Sequence, residues 1–148
     1  MSKTLLTVIG VSLIVFLVTA GCAGSKGQTV TFDDLFGNSG KYNGKSVVIE
    51  GFYFSGFEVQ VIAESLDYSG YAEGHLAPGG RYVWVGGGIP WEVWSQLYKQ
   101  KIMGPEERYG KVRLEGKFEY SGKYGHGGGY SSQIIPSKVE PLPWSPPH

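Results

Sequence analysis

The sequence predicts a mainly β domain, a small barrel of five short strands with one helix, behind an apolar N-terminal segment. Aromatic residues and glycine are both abundant, since the 148 residues include 10 Tyr, 7 Phe, 4 Trp and 24 Gly. Aromatic and β-branched residues favour strands, whereas the glycines between them favour turns and bulges. Residues 111–119 alternate apolar and polar side chains as a half-buried strand does, and residues 46–54 place apolar side chains at the equivalent positions.

The first 21 residues have the composition of a signal peptide. Lys3 precedes an apolar run from Leu5 to Val18, and small residues then lead to Cys22, the only cysteine. A cationic start, an apolar core and a small-residue cleavage site are typical of a secretory signal. Two alternatives are an ordinary signal that leaves a free cysteine and an uncleaved membrane helix. The apolar segment is shorter than the roughly 20 residues that such a helix needs.

The run Leu17-Val18-Thr19-Ala20-Gly21-Cys22 resembles the end of a bacterial lipoprotein signal. In that family the cysteine thiol receives a diacylglyceryl group, the peptide is cut before the cysteine, and the new amine is acylated. The resemblance implies that residues 1–21 are removed and that Cys22 is the lipid attachment site. Residues 22–30 are then a lipidated tether, and the mature chain is extracytoplasmic, anchored to the plasma or outer membrane of a bacterium.

Each element of the domain over residues 31–142 is predicted from local patterning. Thr31 is expected to cap a short helical turn that ends at the turn signal of residues 37–40. A long polar loop is expected over residues 65–80, and a glycine-rich hairpin tip over residues 121–130. The expected strands are residues 46–54, 58–63, 81–85, 111–119 and 131–139.

One amphipathic helix is expected between the third and fourth strands. Pro90 suits the first helical position, and Gly104-Pro105 provides a stop signal. The residues at helical spacing are Trp91, Trp94, Leu97, Tyr98, Lys101 and Ile102. We expect Trp91 and Trp94 to pack into the base of the barrel. Residues 143–148 form a proline-rich tail that is expected to be extended or disordered.

The first and fourth strands are expected to be neighbours. Both carry a Glu-Gly pair at the same place, Glu50-Gly51 and Glu115-Gly116. A glycine inside a strand marks a bend or a close approach of another backbone. The side chains expected to share the buried face are Val47, Ile49, Tyr53, Val112, Leu114 and Phe118.

This order of elements resembles the OB-fold, a five-stranded Greek-key barrel with a helix between strands three and four. It resembles in particular the OB-type domains of bacterial lipoproteins, and a small β-sandwich or an SH3-like barrel is the alternative. OB-folds bind oligonucleotides and oligosaccharides through two loops and the face of strands two and three. The resemblance therefore implies ligand-binding candidates in those loops, although the same aromatic residues also suit a barrel rim. These candidates are Tyr53, Phe57, Lys123, Tyr124, His126 and Tyr130.

The net charge and the reactive side chains of the sequence limit the classes of function that it can have. Without Lys3 the chain has 12 basic and 13 acidic residues, whereas nucleic-acid binders show a basic excess. The sequence has no G-x-S-x-G motif, and its three histidines lack the spacing of metal ligands. We therefore expect no nucleic-acid partner, no metal, no cofactor and no enzymatic activity. A hydrolase that uses Glu58 and Glu73 is the remaining catalytic alternative.

The sequence thus favours a lipid-anchored, non-enzymatic binding or interaction module of the bacterial cell envelope. Its expected partners are the membrane, through the lipid on Cys22, and an envelope protein or glycan. The alternative is a structural or assembly subunit of an envelope complex that binds no small ligand. Fold alone does not distinguish these two functions.

Overall fold

A computed structural model describes residues 26–148, so the expected signal peptide and Cys22 lie outside the described residues. The fold is mainly β and is built on one mixed sheet of seven strands. The strands are β1 (Gln28–Thr29), β2 (Ser46–Gly56), β3 (Val59–Tyr68), β4 (Leu76–Val85), β5 (Tyr98–Gln100), β6 (Glu107–Tyr124) and β7 (Tyr130–Pro141). The helices are α1 (Phe32–Gly37), α2 (Ser39–Tyr42) and α3 (Trp91–Trp94), with a 3-10 turn at His126–Gly128.

Five of the strands pair in a ring. The hairpins β2–β3, β3–β4 and β6–β7 are antiparallel, and two further pairings, antiparallel β2–β6 and parallel β4–β7, join them. The two short strands lie at the sheet edges, with β1 against β2 and β5 against β6. The ring encloses the main core, whose fully buried side chains include Val47, Ile49, Tyr53, Ile62, Val83, Val112, Leu114, Phe118 and Ile134.

The expected pairing of the first and fourth strands is confirmed. β2 and β6 pair from Ser46–Lys117 to Ser55–Arg108. The glycine in each strand allows a neighbouring strand to lie close. A Cβ at Gly51 would lie 2.8 Å from the Ala63 carbonyl oxygen, and a Cβ at Gly116 would contact the Ile135 carbonyl oxygen. The alternation of side chains along both strands therefore predicted the buried face correctly.

The short helix behind Thr31 is also confirmed. The Thr31 hydroxyl accepts a hydrogen bond from the Asp34 amide at 3.1 Å, and the Thr31 amide donates to the Asp34 carboxylate at 2.9 Å. This reciprocal capping box satisfies donors that the first turn of a helix leaves free. The hydrogen bond from the Thr31 amide is the main reason that the pKa of Asp34 lies below its usual value.

The prediction of a long loop is wrong, and the sheet contains two short edge strands besides the five strands expected. Most of the expected polar loop over residues 65–80 is strand. After a bulge at Ala63–Ser65, the hairpin continues to the pairing of Tyr68 with Leu76. One side of this extension faces water, as the exposed Asp67 shows. Its polar composition therefore resembles that of a loop.

The helix expected over residues 90–102 is limited to α3. Leu97 turns into the core, and Tyr98 then begins a strand that pairs with Tyr109. Trp94 packs against the core as expected, but Trp91 is 67% exposed, so its expected packing into the barrel base is wrong. Two of the aromatic residues whose spacing suggested a long helix, Trp94 and Tyr98, instead contact Arg108 and Tyr109 of β6.

The tail over residues 143–148 has no helix or strand, but it is held against the domain. Trp144 packs edge-on against Phe52, Tyr98 and Tyr109, with ring centroids 5.2, 5.7 and 6.1 Å apart. The Tyr98 hydroxyl donates to the Trp144 carbonyl oxygen at 3.0 Å. The tail over residues 143–148 is therefore docked through Trp144 on the outer face of the sheet.

Within residues 26–148, no helix combines the length and the apolar character that crossing a bilayer requires.

Candidate functional site

The structure brings the two loops that the sequence singled out into contact. Glu58 lies in the tight turn between β2 and β3, and His126 lies in the loop between β6 and β7. The His126 Nε2 atom is 3.3 Å from the Glu58 Oε1 atom. Glu58 has a φ of 59°, a left-handed conformation that is uncommon outside glycine. The turn therefore places Glu58 beside the second loop, where its carboxylate reaches His126.

An aromatic row lies on the outer face of β4 next to these loops. The Tyr130 ring is 5.1 Å from the Trp84 ring and 6.0 Å from the Tyr82 ring. Tyr82 and Trp84 face outward because Val83 and Val85 point into the core. The three rings form a surface onto which a flat ligand can stack.

Gly125 lets the second loop lie directly on this row. It has a φ of 70°, and a Cβ added there would lie 2.5 Å from the Tyr130 ring and 2.8 Å from the Trp84 ring. Burial raises the pKa of Tyr130, and neighbouring Tyr82 raises it further. The Tyr130 hydroxyl is therefore neutral near pH 7 and is a hydrogen-bond donor as well as an acceptor.

Five of the six candidate residues lie at or beside this two-loop surface. Phe57 is 69% exposed, Lys123 and His126 are exposed, and Tyr124 and Tyr130 are half-buried. The assignment of Tyr53 is wrong, because its side chain is 1% exposed and lies in the core. It points inward since its strand neighbours Phe52 and Phe54 point outward. Burial raises the pKa of Tyr53 to about 12.

A groove that the sequence did not indicate adjoins the outer face. It has a volume of about 460 Å³. Its apolar lining includes Phe54, Val59, Tyr71, Ile102 and Met103. The lining comes from the β2–β3 hairpin, from the end of the β3–β4 hairpin and from residues 102–107 at the start of β6. The segments are too distant in sequence for a local pattern to connect them.

A hydrogen-bonded chain of polar side chains lies beside the groove. Ser69 Oγ is 2.7 Å from His75 Nδ1, and His75 Nε2 is 2.7 Å from Glu107 Oε2. Gln100 donates to the same carboxylate oxygen at 2.8 Å. Serine, histidine and carboxylate in this order occur in nucleophilic enzymes. Here Ser69 Oγ also accepts the amide hydrogen of Tyr71 in its own loop, so the chain clasps the β3–β4 loop to β6.

Charged residues near β1 are paired with one another. Arg81 contacts both Asp33 and Glu64, and its hydrogen bonds to Glu64 lower the pKa of that carboxyl to about 2. Arg113 bonds to Glu50 at 2.6 Å. This end of the domain therefore presents a solvated network of ion pairs. Among residues 26–148, no three His, Cys, Asp or Glu side chains are grouped so that they could hold a metal ion.

No protein-family model matches the chain, and neither the curated proteins nor the solved structures contain a match to it. The chemistry of the two-loop surface follows from its own geometry. It offers flat aromatic rings, hydroxyl groups, a carboxylate–imidazole pair and the single lysine Lys123. Such a surface can stack and hydrogen-bond a ligand, but it has little positive charge with which to neutralise a phosphate backbone.

Proposed function

We propose that this protein is a lipid-anchored, non-enzymatic binding module of the bacterial cell envelope, and that its ligand binds at the two-loop surface. The observation that carries the binding site is the contact between Glu58 and His126. It joins two loops from separate hairpins beside the row formed by Tyr82, Trp84 and Tyr130. A glycan or an extended segment of an envelope protein has the hydrogen-bonding groups that this surface can recognise.

We further propose that the ring of strands is an OB-type barrel. Its support is the connectivity, in which β2, β3, β4, β6 and β7 take the places of strands one to five. Antiparallel β2–β6 and parallel β4–β7 pairings join strands that are not consecutive, and α3 lies between the third and fourth of these strands. β1 and β5 are additions at the sheet edges. In an OB-fold, the two-loop surface and the outer face of β3 and β4 are the usual ligand-binding region.

The proposed lipid anchor and the two-loop surface fit together spatially. Only residues 23–25 separate Cys22 from Lys26, a span of at most about 14 Å. The lipid would therefore hold the β1 side of the domain at the bilayer. Val47 pairs with Gln28 of β1, and Phe57 follows Val47 by ten residues, about 33 Å along an extended strand. The ligand surface would thus lie at the end of β2 that is far along the chain from the anchored strand β1.

The anchor is tested by expressing the full chain in a bacterium and following its membrane association. Cys22→Ser should abolish incorporation of an alkyne-labelled fatty acid and release the protein from washed membranes. Ser25→Ala is the matched control, because it changes a neighbouring polar residue and keeps the thiol. A Cys22→Ser chain that stays as firmly bound as the wild type would show that the lipid proposal is wrong.

The binding surface is tested with the double variant Phe57→Ala/His126→Ala. Both side chains are largely exposed, so the fold should persist and only binding should change. We expect at least a tenfold loss of affinity for isolated cell-wall glycan or for a captured envelope protein. Tyr71→Ala, which changes an exposed aromatic residue of the β3–β4 loop, should bind like the wild type.

The outcomes separate the proposal from its alternatives. Undiminished binding by the double variant would place the ligand elsewhere and contradict the site. A stoichiometric protein partner that co-purifies in detergent, and that the double variant retains, would favour a structural or assembly subunit. Hydrolysis of an envelope polymer by the wild type would contradict the non-enzymatic assignment.

A further inference from the structure

Trp91 lies at the exposed end of a stack of side chains outside the two-loop surface. Its ring is 4.9 Å from the Trp94 ring, with an angle of 25° between the planes. The Arg108 guanidinium lies 4.4 Å from the Trp94 ring centroid. Trp91 itself is 67% exposed, so a large indole face meets water. Isolated exposed apolar side chains are common and need no function, but this one is part of an ordered stack.

Several hydrogen bonds fix the stack. Trp94 Nε1 donates to Ser55 Oγ at 3.2 Å, and Arg108 donates to the Leu97 carbonyl oxygen at 3.2 Å. Arg108 is also bonded to Glu106 at 2.7 Å. The amide of Ser95 donates to the Trp91 carbonyl oxygen at 2.8 Å, which closes the turn of α3. These bonds hold Trp94, Arg108 and the Trp91 backbone, and the Trp91 ring stacks on the Trp94 ring, so a ligand that covers it would find the supporting ring already in place.

The surroundings of Trp91 select the chemistry of the ligand. Its neighbours in the chain, Pro90, Glu92, Ser95 and Gln96, are all exposed and mostly polar. A purely apolar partner would have to desolvate this rim without replacing its hydrogen bonds. Arg108 is ion-paired with Glu106, so its charge does not by itself exclude a cationic ligand, and the test below includes one. A neutral ligand with a flat apolar face and a hydroxyl rim matches both the indole face and the polar groups around it.

We propose that Trp91 is the platform of a second binding site, which takes the pyranose ring of a neutral β-linked glycan. A pyranose with equatorial substituents presents axial C–H groups that can lie on the indole face, as other flat ligands stack on aromatic rings. Glu92, whose carboxylate has no ion pair among the described residues, accepts hydrogen bonds from the sugar hydroxyls. The site is separate from the two-loop surface, and it depends neither on the lipid nor on that surface.

The test is a titration of the purified full chain with N,N′,N″-triacetylchitotriose and with cellotriose, followed by tryptophan fluorescence and calorimetry. We expect saturable binding with a Kd of about 1 mM or below for at least one trisaccharide. Trp91→Ala should weaken that binding at least tenfold, and Trp91→Phe should retain part of it. Ser55→Ala, which removes the hydrogen bond to Trp94 and the one to the buried Tyr53 hydroxyl but leaves the Trp91 ring, should cause a smaller loss.

Tyr71→Ala is the matched control, since Tyr71 is 83% exposed but belongs to the groove, and it should bind like the wild type. The Phe57→Ala/His126→Ala variant should also keep this binding, which distinguishes the Trp91 site from the two-loop surface. Absence of saturable binding by the wild type would overturn the proposal. Equal binding by Trp91→Ala, or tighter binding of tetramethylammonium than of either sugar, would also overturn it.

Discussion

At Gly116, the absence of a side chain allows β7 to lie close to β6. A Cβ at this position would contact the Ile135 carbonyl oxygen and lie 2.8 Å from the Ile134 Cγ2 atom. Gly116→Ala should therefore force the two strands apart. We expect it to lower the free energy of unfolding by about 1–3 kcal/mol, the usual cost of overpacking. Urea unfolding followed by tryptophan fluorescence measures this change.

Gly40→Ala is the control for that substitution. Gly40 lies in α2, has no atom near the position of a Cβ, and has no left-handed φ. Alanine there should be neutral or should stabilise the protein by about 0.5–1 kcal/mol, because glycine is unfavourable inside a helix. If both variants lost the same stability, the close approach at Gly116 would not be the cause.

Single residues were predictable where a local rule decides their environment. Glycine inside a strand indicated the close approach at Gly116, and the capping preference of Thr31 indicated the start of α1. Tyr53 was assigned to a binding loop because it is close to the turn in the sequence, although strand alternation directs its side chain into the core. His75 gave no signal, since its partner Glu107 is 32 residues away.

At the level of elements, the clasp from Ser69 through His75 to Glu107 should stabilise the β3–β4 loop. His75→Ala would remove two hydrogen bonds, one to Ser69 and one to Glu107. We expect the free energy of unfolding to fall by about 1–3 kcal/mol, because each lost hydrogen bond is worth about 0.5–1.5 kcal/mol. Amides of residues 69–76 should also exchange with deuterium faster, which mass spectrometry of peptide fragments detects.

The second exposed histidine provides the comparison for the clasp. His126→Ala removes an imidazole of the same size whose side chain is 60% exposed. Its stability should change by less than about 0.5 kcal/mol, as is usual for surface substitutions. Unchanged exchange of the loop amides in His75→Ala would contradict the clasp and leave that chain of side chains without a structural role.

Elements were predictable where they are held locally, and they were not where tertiary contacts decide. β2, β6 and α1 follow from alternation and capping within their own sequence. Residues 95–102 have helical spacing, yet Gln100 donates to the Leu76 carbonyl oxygen at 2.6 Å and the chain pairs with β6. Such contacts override helix propensity because a short helix is only marginally stable by itself.

For the whole molecule, the order of elements along the chain predicted a mainly β fold and the neighbourhood of the first and fourth strands. It could not predict how the outer face is covered, since that depends on segments far apart in sequence. Tyr109 and Phe54 pair across the sheet, and Trp144 and Leu76 lie over the same cluster. The candidate surface beside Trp84 is therefore one part of an outer apolar layer that only the folded chain assembles.

The tail is the part of this layer that can be removed most simply. A chain that ends at Leu142 lacks Trp144 and so exposes Phe52, Tyr98 and Tyr109 on the outer face. Three aromatic contacts and the hydrogen bond from Tyr98 are lost together. We expect the free energy of unfolding to fall by about 2 kcal/mol, close to the value of one buried large apolar side chain.

The shortened chain should stay folded, because the residues enclosed by the ring do not include the tail. A chain that ends at Ser145 is the control, since it keeps Trp144 and the acceptor of the Tyr98 hydrogen bond. It should unfold at the same urea concentration as the full chain, whereas the chain ending at Leu142 should unfold earlier and bind a hydrophobic dye. If both shortened chains were as stable as the full chain, Trp144 would not contribute to the fold, and the domain would end near Leu142 as the sequence suggested.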